Sequence, residues 1–361
     1  MRKIGIPEIE DIALGAAVLG AGGGGDPYIG KLMAIGAVKE CGPVDLLSPD
    51  EVPDDAIIMP IAMMGAPTVL CEKGTGGKEY KTIYDTVSQY FGKEVYAVMP
   101  IEAGGVNSML AAAARLGLPM VDCDGMGRAF PELQMVTFTI GGAKATPMAL
   151  TDEKGNNVIF NTITNKWTEE LARSVAMSCG GSVTCSLYIM DGKTMKNYGV
   201  KDIVTRSEQL GAAIRKVKET TDQTPEEAFL AITEGYRLFK GKIGDVLREV
   251  RGGFNFGKVA LEGIGDYKGQ SAYVEFQNEN LTAVVNDEVL ATTPDLICLV
   301  DTETFTPVPT DALKYGKRVM VVGLKCFPLW RTKEGLELAG PRYFGVETDY
   351  IPLEERCKGG C

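Results

Sequence analysis

Three short, largely apolar runs in the first third of the chain, residues 56–63, 94–100 and 118–122, are separated by longer stretches with helical spacing. Runs of that length bounded by glycine, proline or charge read as buried strands, whereas residues 78–91 and the alanine-rich 106–116 carry the period of helices. Strands alternating with helices in this way predict a mainly parallel sheet covered by helices on both faces. Such a sheet brings three loops to one carboxyl edge: Met64-Gly65-Ala66-Pro67, Ile101-Glu102-Ala103-Gly104-Gly105 with Asn107 behind it, and Asp122 to Arg128. Ligands favour that edge, because loops converge there without disturbing the strands.

The alternation ends near residue 132. Upstream of it, residues 7–19 read as a helix with acids in the first turn and residues 28–35 as a second. Between them lies Gly20-Ala21-Gly22-Gly23-Gly24-Gly25-Asp26-Pro27. Four consecutive glycines cost so much ordering entropy that they call for a steric or functional reason. One reason is an anion-binding nest of N–H groups from Gly23 to Gly25 backed by the next helix; the other is a plain flexible turn. The run follows a helix and lacks Gly-Lys-Ser/Thr, so it is neither a dinucleotide fingerprint nor a Walker loop.

Downstream, residues 147–152 and 157–162 predict a hairpin, and 167–177 and 203–218 predict helices. Thr224-Pro225-Glu226-Glu227 has the form of a capping box with proline at the first helical position, opening a helix expected to reach about residue 239. Short β-branched runs then follow at 257–261, 272–276, 281–285, 296–300 and 318–322, the pattern of a β barrel or sandwich. The expected organisation is an α/β domain over 1–165 that carries the site, then a C-terminal domain over 166–361, helical at first and β-rich after.

Composition narrows the chemistry. The 361 residues include no histidine, which removes Ser-His-Asp and Cys-His catalysis, histidine bases and histidine-rich zinc sites together. Acid-base work must fall to Asp, Glu, Lys, Tyr or Cys. A net charge of -11 is the wrong sign for a nucleic-acid or anionic-membrane surface. The apolar run from Ile12 to Leu19 is preceded by acids and cut short by glycine, so it reads as neither an export signal nor a membrane span. Nine scattered cysteines without such a signal read as reduced thiols in a cytoplasmic protein, and the Cys357 to Cys361 pair as a frayed terminus. A homo-oligomer is expected only because oligomers are common.

The densest chemistry lies in Val121-Asp122-Cys123-Asp124-Gly125-Met126-Gly127-Arg128-Ala129-Phe130-Pro131-Glu132. Its competing readings are an active-site loop and a solvated, capped turn with an Asp–Arg pair. Taken with Gly24-Gly25-Asp26-Pro27, Met64-Gly65-Ala66-Pro67, Glu102 to Asn107, Asp301 to Tyr315 and Gly340-Pro341-Arg342-Tyr343-Phe344-Gly345, it resembles the S-methyl thiohydantoin desulfurase family nearly end to end. That family was formerly a domain of unknown function, found beside hydantoinase and oxoprolinase-type proteins. The resemblance implies an α/β domain followed by a β-rich domain, and a hydrolase that replaces the methylthio group of a five-membered ring by water. Cys123 departs from the small residue expected there.

Such a hydrolysis needs a base for water, stabilisation of developing charge and a proton for the leaving thiolate. Asp124 is the first candidate for base and Glu132 the second. Arg128 is assigned to an anionic group, Glu102 and Asn107 to acid or hydrogen-bonding roles, and Gly23, Gly24, Gly25, Asp26, Met64, Gly65, Gly105 and Asp122 to substrate contact. Cys123, with no base beside it, reads as a packing thiol. A divalent metal on Asp122, Asp124, Glu132 or Glu102 is compatible with carboxylate chemistry, though nothing in the spacing requires one. Two other functions fit the residues: a non-catalytic partner subunit of a hydantoinase-type enzyme, and a phosphate or nucleotide binder using Gly22 to Gly25.

Overall fold

The computed structural model describes residues 1–24, 27–65, 69, 76–219 and 221–357, and of residues 106–108 the backbone only. Its first half holds β1 (Arg2–Ile4), β2 (Val44–Leu47), β3 (Ile57–Gly65), β4 (Ala97–Pro100), β5 (Met120–Val121) and β6 (Cys123–Asp124), then β7 (Met148–Thr151), β8 (Asn157–Phe160), β9 (Ser182–Ser186), β10 (Met190–Asp191) and β11 (Val200–Lys201). The main sheet runs β1-β2-β5-β4-β3-β9-β7-β8, with β10 also on β3. Its centre, β2, β5, β4 and β3, is parallel, and both margins are antiparallel. The α/β expectation therefore holds, with the parallel strands confined to the middle. β9 was not foreseen: Ser182-Val183-Thr184-Cys185-Ser186 is too polar to read as a strand, yet all five residues are buried against β3 and β7.

The second half contributes β12 (Tyr236–Arg251), β13 (Phe254–Gly263), β14 (Ser271–Gln277), β15 (Glu279–Val285), β16 (Glu288–Thr292), β17 (Leu296–Asp301) and β18 (Arg318–Leu324). They form one antiparallel sheet, ordered β16-β15-β14-β13-β12-β18-β17, that curls into a half-barrel around Phe239, Val259, Val274 and Val321. One sequence expectation fails here. The helix opened by the Thr224 cap spans only Pro225–Thr233, because Glu234 turns left-handed and residues 236–251 become the longest strand. Pairing with both β13 and β18 outweighs the local helix preference, as tertiary context commonly does.

Candidate active site

A cavity of about 130 Å³ opens at the carboxyl edge of β3 and β4, room for several waters or one small ring. The Glu102 loop reaches it because β4 ends at Pro100 and a short turn, Ala103–Gly105, leads into the helix Val106–Leu116. The glycine-rich turn closes one side. Gly24, at φ +79°, lies so close to the neighbouring loop that a Cβ there would stand 2.5 Å from the Gly104 Cα. The same turn is pinned to the half-barrel by Asn280 N–H donating to the Ala21 carbonyl (2.9 Å) and Thr310 N–H to the Gly22 carbonyl (2.9 Å). Glycine is needed at positions 22 and 23 for close packing between two halves of the chain, because a Cβ there would meet the Asn280 and Glu279 side chains.

Of the residues singled out from sequence, Gly23, Gly24, Met64, Gly65, Glu102, Gly105 and Glu132 line this cavity. Gly25 and Asp26, like Ala66 and Pro67, lie outside the described residues, as does the Asn107 side chain. Asp122, Asp124 and Arg128 do not line it. Asp122 accepts from Val204 N–H (2.7 Å), Thr205 N–H (3.2 Å) and the Thr205 hydroxyl, holding the start of the helix Ile203–Arg215. Asp124 is fully buried and accepts from Met126 N–H (3.2 Å) and Gly127 N–H (2.9 Å), so it shapes its own loop. Burial and the nearby Glu102 push its carboxyl well above the ordinary range.

Arg128 is also fully buried. It donates to the carbonyls of Ala129 (2.9 Å), Pro294 (2.6 Å) and Asp295 (2.9 Å) and lies 4.2 Å over the Phe130 ring. Asp295 in turn gathers Arg331, Tyr350 and the Cys326 and Leu353 amides, so Arg128 is bolted to the C-terminal segment. Burial lowers its pKa to about 10, against the charges of Glu279, Cys326, Asp295 and Glu102. It is a fixed cation behind the cavity wall.

Glu102 is half-buried and faces the cavity. Burial raises its carboxyl to about 7, and the Phe130 backbone amide and the Arg128 charge only partly offset this. Glu132 is the opposite case. Burial raises it too, but the Lys166 ammonium (2.6 Å), the Tyr343 hydroxyl (2.6 Å) and the Gln134 amide prevail and hold it below its usual value. Cys123 is wholly buried, its thiol pushed well above normal by burial and by Asp124 and Asp122, which fits packing. Among the described residues, no three Cys, Asp or Glu side chains converge to hold a metal ion.

Three lining residues with polar side chains, Arg173, Asn278 and Glu279, went unread in the sequence. Arg173 comes from the helix Asn165–Ser178, pairs with Glu169 and stacks 3.9 Å from the Phe254 ring. Glu279 opens β15 and is 3% exposed. The only local signal was an acid two positions before the apolar run 281–285, which resembles any strand-flanking turn. Around these charges the lining is rich in thioether, with Met33, Met63, Met64, Met109 and Met126.

The family model described as "S-Me-THD-like, N-terminal domain" matches residues 7–162, and "S-Me-THD-like, C-terminal domain" matches residues 163–353. The chain belongs to the S-Me-THD-like family. This agrees with the S-methyl thiohydantoin desulfurase resemblance drawn from its motifs. A crystal structure of a protein from Chromobacterium violaceum is similar in fold, with 22% identity, a TM-score of 0.81, and coverage of 98% of this chain and 100% of that one. No curated protein matches the sequence. Among the described residues, no helix is long and apolar enough to cross a membrane.

Proposed function

We propose that this member of the S-Me-THD-like family is a hydrolase that replaces the methylthio group of an S-methyl thiohydantoin-like ring by water, with Glu102 as the base. The observation that carries the reading is a cavity-facing carboxyl whose pKa is raised to about 7 by burial. A base works best when it titrates near the operating pH, and a carboxylate in a poorly solvated site holds a proton more readily than one in water. With no histidine in the chain, a tuned glutamate takes the place an imidazole would fill.

In the reaction, Glu102 takes one proton from water as the C–O bond forms at the ring carbon bearing sulfur. The C–S bond then breaks and the thiolate leaves with that proton as methanethiol. The second water proton ends on the ring nitrogen, and the carbon becomes a carbonyl. The methionine wall supports the substrate side of the reading, because polarizable thioethers adapt to an apolar, sulfur-bearing group. The phosphate alternative has less support, because among the described glycines of the turn Gly23 faces the Glu279 side chain and Gly24 packs on Gly104.

Methanethiol release from an S-methyl thiohydantoin, followed by a thiol reagent, tests the reading. Because the base must be ionised, kcat/KM should rise with pH through about 7 and level off above it. Absence of turnover over that whole range would remove the assignment.

A further inference from the structure

Glu279 is the one acid of the cavity that comes from the half-barrel, and three features of its setting are unusual. Its side chain occupies the space a Cβ on Gly23 would take: such a carbon would sit 1.9 Å from Oε1, 2.5 Å from Cδ and 2.6 Å from Cγ. The glycine turn is therefore cut to admit this carboxyl. Its Oε2 is buried and has no hydrogen-bond partner. Unlike Glu132, it has no Lys or Arg nitrogen in ion-pair contact among the described residues, although it lines the same cavity as Glu102.

A buried, unpaired carboxylate costs several kcal/mol, by order of magnitude, whereas a buried carboxylic acid costs far less and presents a strong O–H donor. We propose that Glu279 enters the cavity as a neutral acid and donates to the ring nitrogen beside the reacting carbon, so that the site takes rings with an acceptor nitrogen at that position. The inference rests on the hydrolytic reading of Glu102. It completes the proton balance: Glu279 gives its proton to the ring nitrogen as water adds, and recovers one from the new hydroxyl as the carbonyl forms and the C–S bond breaks. Both carboxyls then end as they began.

The groups that bear on its charge agree with this. Burial and the neighbouring Glu102 push the Glu279 carboxyl well above the ordinary range, and the charges of Arg128 and Arg173 and its own backbone amide only partly oppose them. Two carboxyls that sense one another ionise in two separate steps, so the pair passes through a state in which one member keeps a proton. Glu102, less buried than Glu279 and accepting from the Phe130 amide, gives up its proton first.

Infrared spectroscopy of the full chain carrying 13C-labelled glutamate tests the protonation state directly. Well above pH 7, the wild type should keep a carboxylic-acid C=O band that shifts with the glutamate label, and Glu279→Gln should lack it. The label separates this band from any arising at Asp124. No glutamate band in the wild type, or an unchanged band in Glu279→Gln, overturns the proposal. Kinetics with a 5-methyl-substituted S-methyl thiohydantoin give the second arm. Glu279→Gln keeps a neutral donor but no transferable proton, so KM should stay within about threefold while kcat falls about 100-fold, within the usual range for acid-base catalysis. Wild-type kcat in that variant also overturns it. If wild type turns over no such ring but keeps the band, the hydrolytic reading fails while the neutral acid stands.

Discussion

Glu102 and Glu132 line one cavity and are both shielded from bulk water, yet their surroundings drive them in opposite directions. Glu132 is held by an ammonium, a phenol and an amide, and its charge is satisfied before any ligand arrives. Glu102 is offered one backbone amide and the charge of the Arg128 guanidinium. The difference shows that proton chemistry follows what a carboxyl lacks. A saturated carboxylate braces its neighbours, and an undersolvated one is left wanting a proton.

The sharpest way to break this contrast is to neutralise each acid. Glu102→Gln should cut methanethiol release about 1000-fold, the scale of losing a general base, whereas Glu132→Gln should stay within about tenfold of wild type. Equal losses would mean that the two carboxyls share the role. Stability should move the other way. A carboxyl whose folded pKa is raised favours the fold fully below its unfolded value of about 4.5, and that advantage is gone once the pH has passed about 7. Glu102→Gln should therefore gain up to roughly 3 kcal/mol over wild type in urea unfolding at pH 8, and show no such gain at pH 4.

Gly23→Ala probes the same logic through Glu279. The added carbon displaces that side chain, so kcat should fall about 100-fold, matching Glu279→Gln, while Gly36→Ala, with nothing within 4 Å of its Cβ, serves as the control. The smallest effect is expected from the braced acid. Glu132→Gln should lose roughly 2 kcal/mol of stability at neutral pH, the worth of charged hydrogen bonds. Because the Glu132 pKa is lowered in the fold, its contribution is present above the unfolded carboxyl value and fades as the pH drops through the folded one. A denaturant series from pH 7 to pH 3 would expose that loss.

Much of the frame was legible in the chain. The runs that became β3 and β4, the helices Lys78–Phe91 and Val106–Leu116, and the loop bearing Glu102 are written in local periodicity and glycine placement. Five of the half-barrel strands were recognisable too; β16 (Glu288–Thr292) was missed, and at β12 a strong helix start hid a strand secured by distant partners. The stretch with the densest charge divides: Glu132 lines the cavity, while Asp122, Asp124 and Arg128 do not. Asp124 and Arg128 spend their polarity on backbone groups, some of them more than 160 residues away, and spacing carries no trace of that. Glu279 was invisible because its meaning depends on Gly23, a residue it meets only in the folded chain.

The seam at the glycine turn has an evolutionary corollary. With Gly24 resting on Gly104 and Gly23 hollowed out for Glu279, the two segments cannot be exchanged independently among relatives. A chimera joining this first half to a foreign half-barrel would inherit a crowded or an acid-less chamber unless both surfaces were transplanted together. Lineages in this family should therefore show the turn and the start of β15 drifting in step.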